Sequence, residues 1–121
     1  MNKEQAIQAF WERFGWDVFD ENTVPDRATF PRLTYSLSTS DFGTPVLDSA
    51  SLWDRSTSWK TVTEMADVID KYLGLRGAII SSDDGPIRIK RGNPFARRMA
   101  DEDDAIRRIY LNIEVEYYRN Y

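Results

Sequence analysis

The stretch from residue 109 to residue 117 constrains the fold more than any other. Ile109, Leu111, Ile113, Val115 and Tyr117 alternate there with Tyr110, Asn112, Glu114 and Glu116. Residues two apart share one face of an extended strand, whereas a helix would scatter this pattern around its circumference. The segment predicts a long strand with one apolar and one polar face, and such a strand needs sheet neighbours and a covering layer. Residues 32–38 alternate in the same way, with Leu33, Tyr35 and Leu37 on one side, and residues 46–55 read as a further strand. Residues 39–45 between them form a turn or flexible loop, a candidate for ordering on assembly, and the two strands are expected to pair as a hairpin.

Two helices supply the covering layer. Ala6, Ile7, Phe10, Trp11 and Phe14 recur at spacings of three and four and stop at Gly15, a natural residue to follow a helix. Val62, Met65, Ala66, Ile69 and Leu73 form a second stripe, with Ser58 as the expected N-cap and Gly74 as terminator after the basic Lys71. Asp17, Val18 and Phe19 make a brief strand, and residues 20–31, with Pro25 and Pro31, make a loop. Ile79 and Ile80 lead into the turn-forming residues 81–86 and out through Ile87 and Ile89, with Arg88 and Lys90 facing away, which predicts a second hairpin. Residues 91–98 read as a loop. The expectation is an α+β fold: a single, mainly antiparallel sheet of four to five strands with an N-terminal and a central helix packed on it, one globular domain over residues 1–121.

Composition narrows the chemistry. The 121 residues include no Cys and no His, which removes thiol nucleophiles, disulfides, Cys/His zinc sites and His-based proton relays together. Sixteen basic against twenty acidic residues give a formal charge of -4, which argues against a general nucleic-acid binder. No apolar run approaches the roughly 20 residues of a membrane span, and the polar start lacks a signal-peptide core, so a cytosolic protein without a membrane partner is expected. No phosphate loop, dinucleotide fingerprint or hydrolase elbow occurs, and neither Ser58 with Lys60 nor Ser49 with Ser51 matches a known motif. The chain is expected not to be an enzyme, with no catalytic residues and no cofactor.

The charges are unevenly placed. Arg88, Lys90, Arg91, Arg97 and Arg98 occur without an intervening acid, and Asp101, Glu102, Asp103 and Asp104 follow at once. A calcium loop starting at Asp101 would want Gly at its sixth position and Glu at its twelfth, where Ile106 and Asn112 stand, so the acidic run reads as a solvated or ion-paired turn and not a metal site. The basic stretch around Phe95 reads either as a protein-recognition surface or as a strand edge guarded by charge. Tyr117, Tyr118 and Tyr121 read either as an aromatic patch for a partner or as a frayed tail. Arg88, Lys90, Arg91, Phe95, Arg97, Arg98, Asp101, Asp103 and Asp104 are the candidate interface residues.

Several phrases carry a resemblance over nearly the whole chain: Ala9-Phe10-Trp11-Glu12-Arg13-Phe14, Val24-Pro25-Asp26-Arg27-Ala28-Thr29-Phe30-Pro31-Arg32-Leu33-Thr34-Tyr35, Ser51-Leu52-Trp53-Asp54-Arg55-Ser56-Thr57-Ser58-Trp59, Ile89-Lys90-Arg91-Gly92-Asn93-Pro94-Phe95-Ala96 and Asp103-Asp104-Ala105-Ile106-Arg107-Arg108-Ile109-Tyr110-Leu111-Asn112-Ile113. Together they resemble the small head-tail joining and tail-completion proteins of tailed bacteriophages and prophages, above all the tail terminators. That resemblance implies a structural subunit that assembles with itself into a ring, usually hexameric, caps the tail tube protein and meets the head-tail connector protein. It places the subunit in the host cytoplasm during assembly and in the virion afterwards, with DNA only passing through the channel. Arg91, Arg97 and Arg98 would then meet acidic residues of a neighbouring copy. A head-tail adaptor, stopper or minor capsid protein is the nearest alternative, and a small DNA-binding or magnesium-dependent nucleic-acid enzyme the more distant one.

Overall fold

The computed structural model describes residues 1–39 and 44–118. In chain order the elements are α1 (Lys3–Glu12), β1 (Asp17–Asp20), β2 (Arg32–Tyr35), β3 (Val46–Arg55), α2 (Lys60–Leu73), β4 (Ala78–Ser82), β5 (Gly85–Met99) and β6 (Ile106–Tyr117). The alternating segment is β6, and it lies inside the sheet with β3 on one side and β5 on the other, in the order β1-β2-β3-β6-β5-β4. The expected hairpin of β2 with β3 and that of β4 with β5 both form, in antiparallel register.

Alternation puts Ile109, Leu111, Ile113, Val115 and Tyr117 on one side, where they align with Leu52 and Ala50 of β3 and with Ile87 and Ile89 of β5. All are buried and join Ala6, Ile7, Phe10 and Trp11 of α1 and Val62, Ala66, Ile69 and Leu73 of α2 in one apolar cluster. Each large apolar side chain among them withdrawn from water contributes about 1.5–3 kcal/mol, so this shared face holds the two layers together. Asn2 and Gln5 form a reciprocal capping box at the start of α1, with Gln5 N–H donating to Asn2 Oδ1 at 2.8 Å and Asn2 N–H to Gln5 Oε1 at 3.0 Å. The helix then runs between the two outer strands of the sheet. Asp83 N–H, beyond β4, donates to Met1 O at 2.7 Å, and Gln8 Nε2 donates to Val18 O of β1 at 2.9 Å. Both edges reach one helix because the sheet curls around the helical layer.

Four corrections to the expectation have physical causes. The sheet has six strands, because Asp17–Asp20 is recruited as an edge strand, and it pairs with β2 in parallel; residues 21–31 serve as the crossover that parallel pairing requires. Ser58 stands one residue too early to be the N-cap, which is Trp59, although its Oγ accepts Lys60 N–H at 3.1 Å. Residues 91–98 are not a loop but the outer half of β5, which carries an irregularity between Arg91 and Ala96. A step of two residues along β6, from Ile113 to Leu111, is matched there by a step of five along β5, from Arg91 to Ala96, and this bulge breaks the alternation that would have announced a strand. Gly92 permits it, since a Cβ would lie 2.9 Å from Asn112 Cβ, and Asn112 Nδ2 donates to Pro94 O at 2.9 Å. Finally, Tyr117 is neither a surface patch nor a frayed end: it is 3% exposed and donates to Ser38 O at 2.7 Å. Residues 40–43 of the expected flexible loop, and Tyr121, lie outside the described residues.

Candidate interaction surface

Both helices pack on one side of the sheet, and the other side has no covering layer among the described residues. Strand register assembles two adjacent rows across that open side. One runs Asp17, Arg32, Trp53, Arg108 and Met99, and the next runs Phe19, Thr34, Ser51, Tyr110 and Arg97. Directly opposed residues on neighbouring strands are close enough for their side chains to interact. The Arg108 guanidinium lies 4.5 Å from the Trp53 ring centre and 5.8 Å from that of Tyr110, and its Nε donates to Ser51 Oγ at 3.1 Å. Trp53 Nε1 in turn donates to Thr34 Oγ1 at 2.9 Å. At the rim, Phe30 has Arg32 at 4.3 Å and Arg55 at 5.1 Å. Burial, and after it the charge of Arg55, lowers the Arg32 pKa from its ordinary value. Planar cations stacked on rings and held by hydroxyls lose little freedom on binding, which makes this a pre-organised surface.

The expected interface residues divide between this surface and internal roles. Arg97 belongs to the surface: it is exposed, and its Nη2 lies 3.9 Å from Met99 Sδ. Arg98 turns to the other side and stacks on Trp59 at 4.7 Å, where Arg107 also lies at 5.4 Å. Arg91 pairs with Asp70 of α2. Arg88 donates through Nε and Nη2 to Arg76 O at 3.1 and 2.8 Å. Phe95 packs against the apolar core and is not a projecting anchor. Lys90 borders a shallow hollow of about 340 Å³ with Leu75, Arg91 and Phe95. The acidic run forms the turn between β5 and β6, in which Asp101 Oδ1 accepts Asp103 N–H and Asp103 Oδ1 accepts Ala105 N–H, both at 2.9 Å. Asp103 also faces Arg55 at 3.5 Å, and the Asp104 carbonyl accepts Arg107 Nη1 at 2.7 Å. The structure therefore does not gather Arg91, Arg97 and Arg98 into one patch.

Sequence reasoning missed Arg32, Trp53, Arg108 and Tyr110 as a group. Its one available signal was that the polar faces of β3 and β6 carry large rings and arginines; which of them meet depends on register. Elsewhere, Ser49 and Ser51 bond within the sheet, Ser49 N–H donating to Ser36 Oγ at 2.9 Å and Ser51 Oγ receiving Arg108. A notch of about 470 Å³ beside β1 is lined by Glu4, Gln8, Asp20, Tyr35 and Leu37 among others. Burial, followed by the charges of Asp20, Glu4 and Glu12, raises the Tyr35 pKa there. Among the described residues no group of three or more Asp and Glu side chains is placed to hold a metal ion, and no helix is long and apolar enough to cross a membrane. No protein-family model, curated protein or solved structure matches the chain.

Proposed function

We propose that this chain is a structural, ring-forming subunit of the tail-completion module of a tailed bacteriophage, a tail terminator that caps the tail tube and meets the head connector. The observation that supports an assembly role is the open sheet face, whose arginines, Trp53, Tyr110 and Met99 are the residue types enriched where proteins bind proteins. The phage assignment rests on the resemblance of the quoted segments. A ring is built from two different complementary patches on each subunit, and the long β5–β6 hairpin offers both an arginine-rich face and an acidic turn. The same surface would serve a head-tail adaptor or stopper, which gene order separates, since a terminator gene precedes the tube gene. A nucleic-acid enzyme is disfavoured because Arg108 already occupies one side of the Trp53 and Tyr110 rings and the chain carries a net charge of -4.

Light-scattering mass across a concentration series, with negative-stain images and with tail tube protein added in a parallel series, tests the proposal. The expected result is a species near 6 × 14.1 = 84.6 kDa that is annular. A 14.1 kDa species under every condition, tube protein included, would overturn it.

A further inference from the structure

The open face carries guanidinium groups that no carboxylate among the described residues neutralises. Arg97 is exposed and meets a thioether, and Arg108 is held by two rings and a serine hydroxyl. The turn at the end of the same hairpin divides its carboxylates in two. Asp101 and Asp103 are consumed in holding the turn, while Glu102 and Asp104 are exposed and their carboxylates make no hydrogen bond or ion pair among the described residues. We infer that the Glu102 and Asp104 carboxylates of one copy of this chain seat on Arg97 and Arg108 of a second copy. The contact rests on the ring-forming reading and names the two surfaces that meet within it.

Three observations select this occupant. Within one copy the turn is held by other partners, the Asp104 carbonyl by Arg107 and the Asp103 carboxylate by Arg55. Carboxylates complement a guanidinium fork, and Trp53, Tyr110 and Met99 around it exclude water and strengthen the pair. A nucleic acid is a poorer occupant, since the rings are already stacked and a chain of net charge -4 repels a polyanion.

The test uses the full chain and two variants, Arg97→Glu and the double substitution Glu102→Lys with Asp104→Lys. All three sites are exposed, so the far-UV circular dichroism of each variant is expected to match that of the wild type. Each variant alone should associate about tenfold more weakly or less, by like-charge repulsion. An equal mixture should recover in part, because the unchanged tip of Arg97→Glu then meets the unchanged face of the tip variant, and the reversed tip meets a face reversed at position 97 although Arg108 there stays cationic. Wild-type rings that neither variant disturbs, or variants that stay dissociated when mixed, would overturn the contact and leave the ring reading standing. Wild-type protein at 14.1 kDa throughout would overturn both. Recovery at 2 × 14.1 = 28.2 kDa would support the contact, and wild-type protein that also stops at 28.2 kDa would overturn the ring. Salt-sensitive binding of a single-stranded oligonucleotide, lost in Arg97→Glu and unchanged by the tip substitutions, would assign the face to nucleic acid and overturn the contact.

Discussion

Tyr117 shows how one hydroxyl sets a limit on the pH range of the fold. Burial, and after it the charge of Asp48, pushes its pKa up to about 12 from an ordinary 10, so the folded chain holds the proton longer than the unfolded one. Its contribution to stability is therefore complete below pH 10 and is lost as the pH climbs toward 12. Urea midpoints measured through that window are expected to fall. In Tyr117→Phe they should fall less steeply, with a residual slope from Tyr35, whose pKa is also raised. At neutral pH the same variant loses the bond to Ser38 and about 1 kcal/mol. Gly77 sets a steric limit of a different kind. It has φ +76°, and a Cβ there would sit 2.3 Å from the Ile89 carbonyl oxygen, whereas Gly15 has φ +90° and open space. Gly77→Ala should cost about 3 kcal/mol and Gly15→Ala about 1 kcal/mol in urea unfolding, the difference being the clash with the backbone of β5.

At the scale of elements, α1 depends on its first turn, where the Asn2–Gln5 box meets otherwise unpaired backbone groups. Asn2→Ala should cost about 1 kcal/mol. Hydrogen exchange of the first turn is expected to quicken while that of α2, whose N-cap Trp59 makes no side-chain cap bond, stays the same. The elements that could be read from the sequence are those whose apolar period survives uninterrupted: Val62 to Leu73 at helical spacing, and Ile109 to Tyr117 at strand spacing. The outer half of β5 could not be read, because Gly92, Asn93 and Pro94 look like a loop until the long β6 is there to pair across the bulge. The parallel partnership of β1 with β2 was equally hidden, since four residues carry too little pattern to state a direction.

For the whole molecule, the layer arrangement matters more than any segment. Two helices on one side leave Arg32, Trp53, Arg108, Tyr110 and Arg97 together on the other, although they come from positions 32 to 110 of the chain. That surface could not be read from the sequence, because each strand announces only its own two faces, while a row across strands is a property of register. The basic stretch and the acidic turn were visible; their division between internal ties and a free surface was not. The bulge in β5 now takes on another meaning. Because a step of five there matches a step of two, Ile87 and Ile89 lie on the helical side at odd numbers whereas Ala96 and Arg98 lie on it at even ones, and Arg97 is thereby delivered to the other side. Removing or adding a single residue in this stretch would exchange Arg97 with Arg98 and rewrite the charge of both sides of the hairpin without altering one side chain. Chain length at this spot is thus itself a determinant of recognition, open to change by insertion and deletion as well as by substitution.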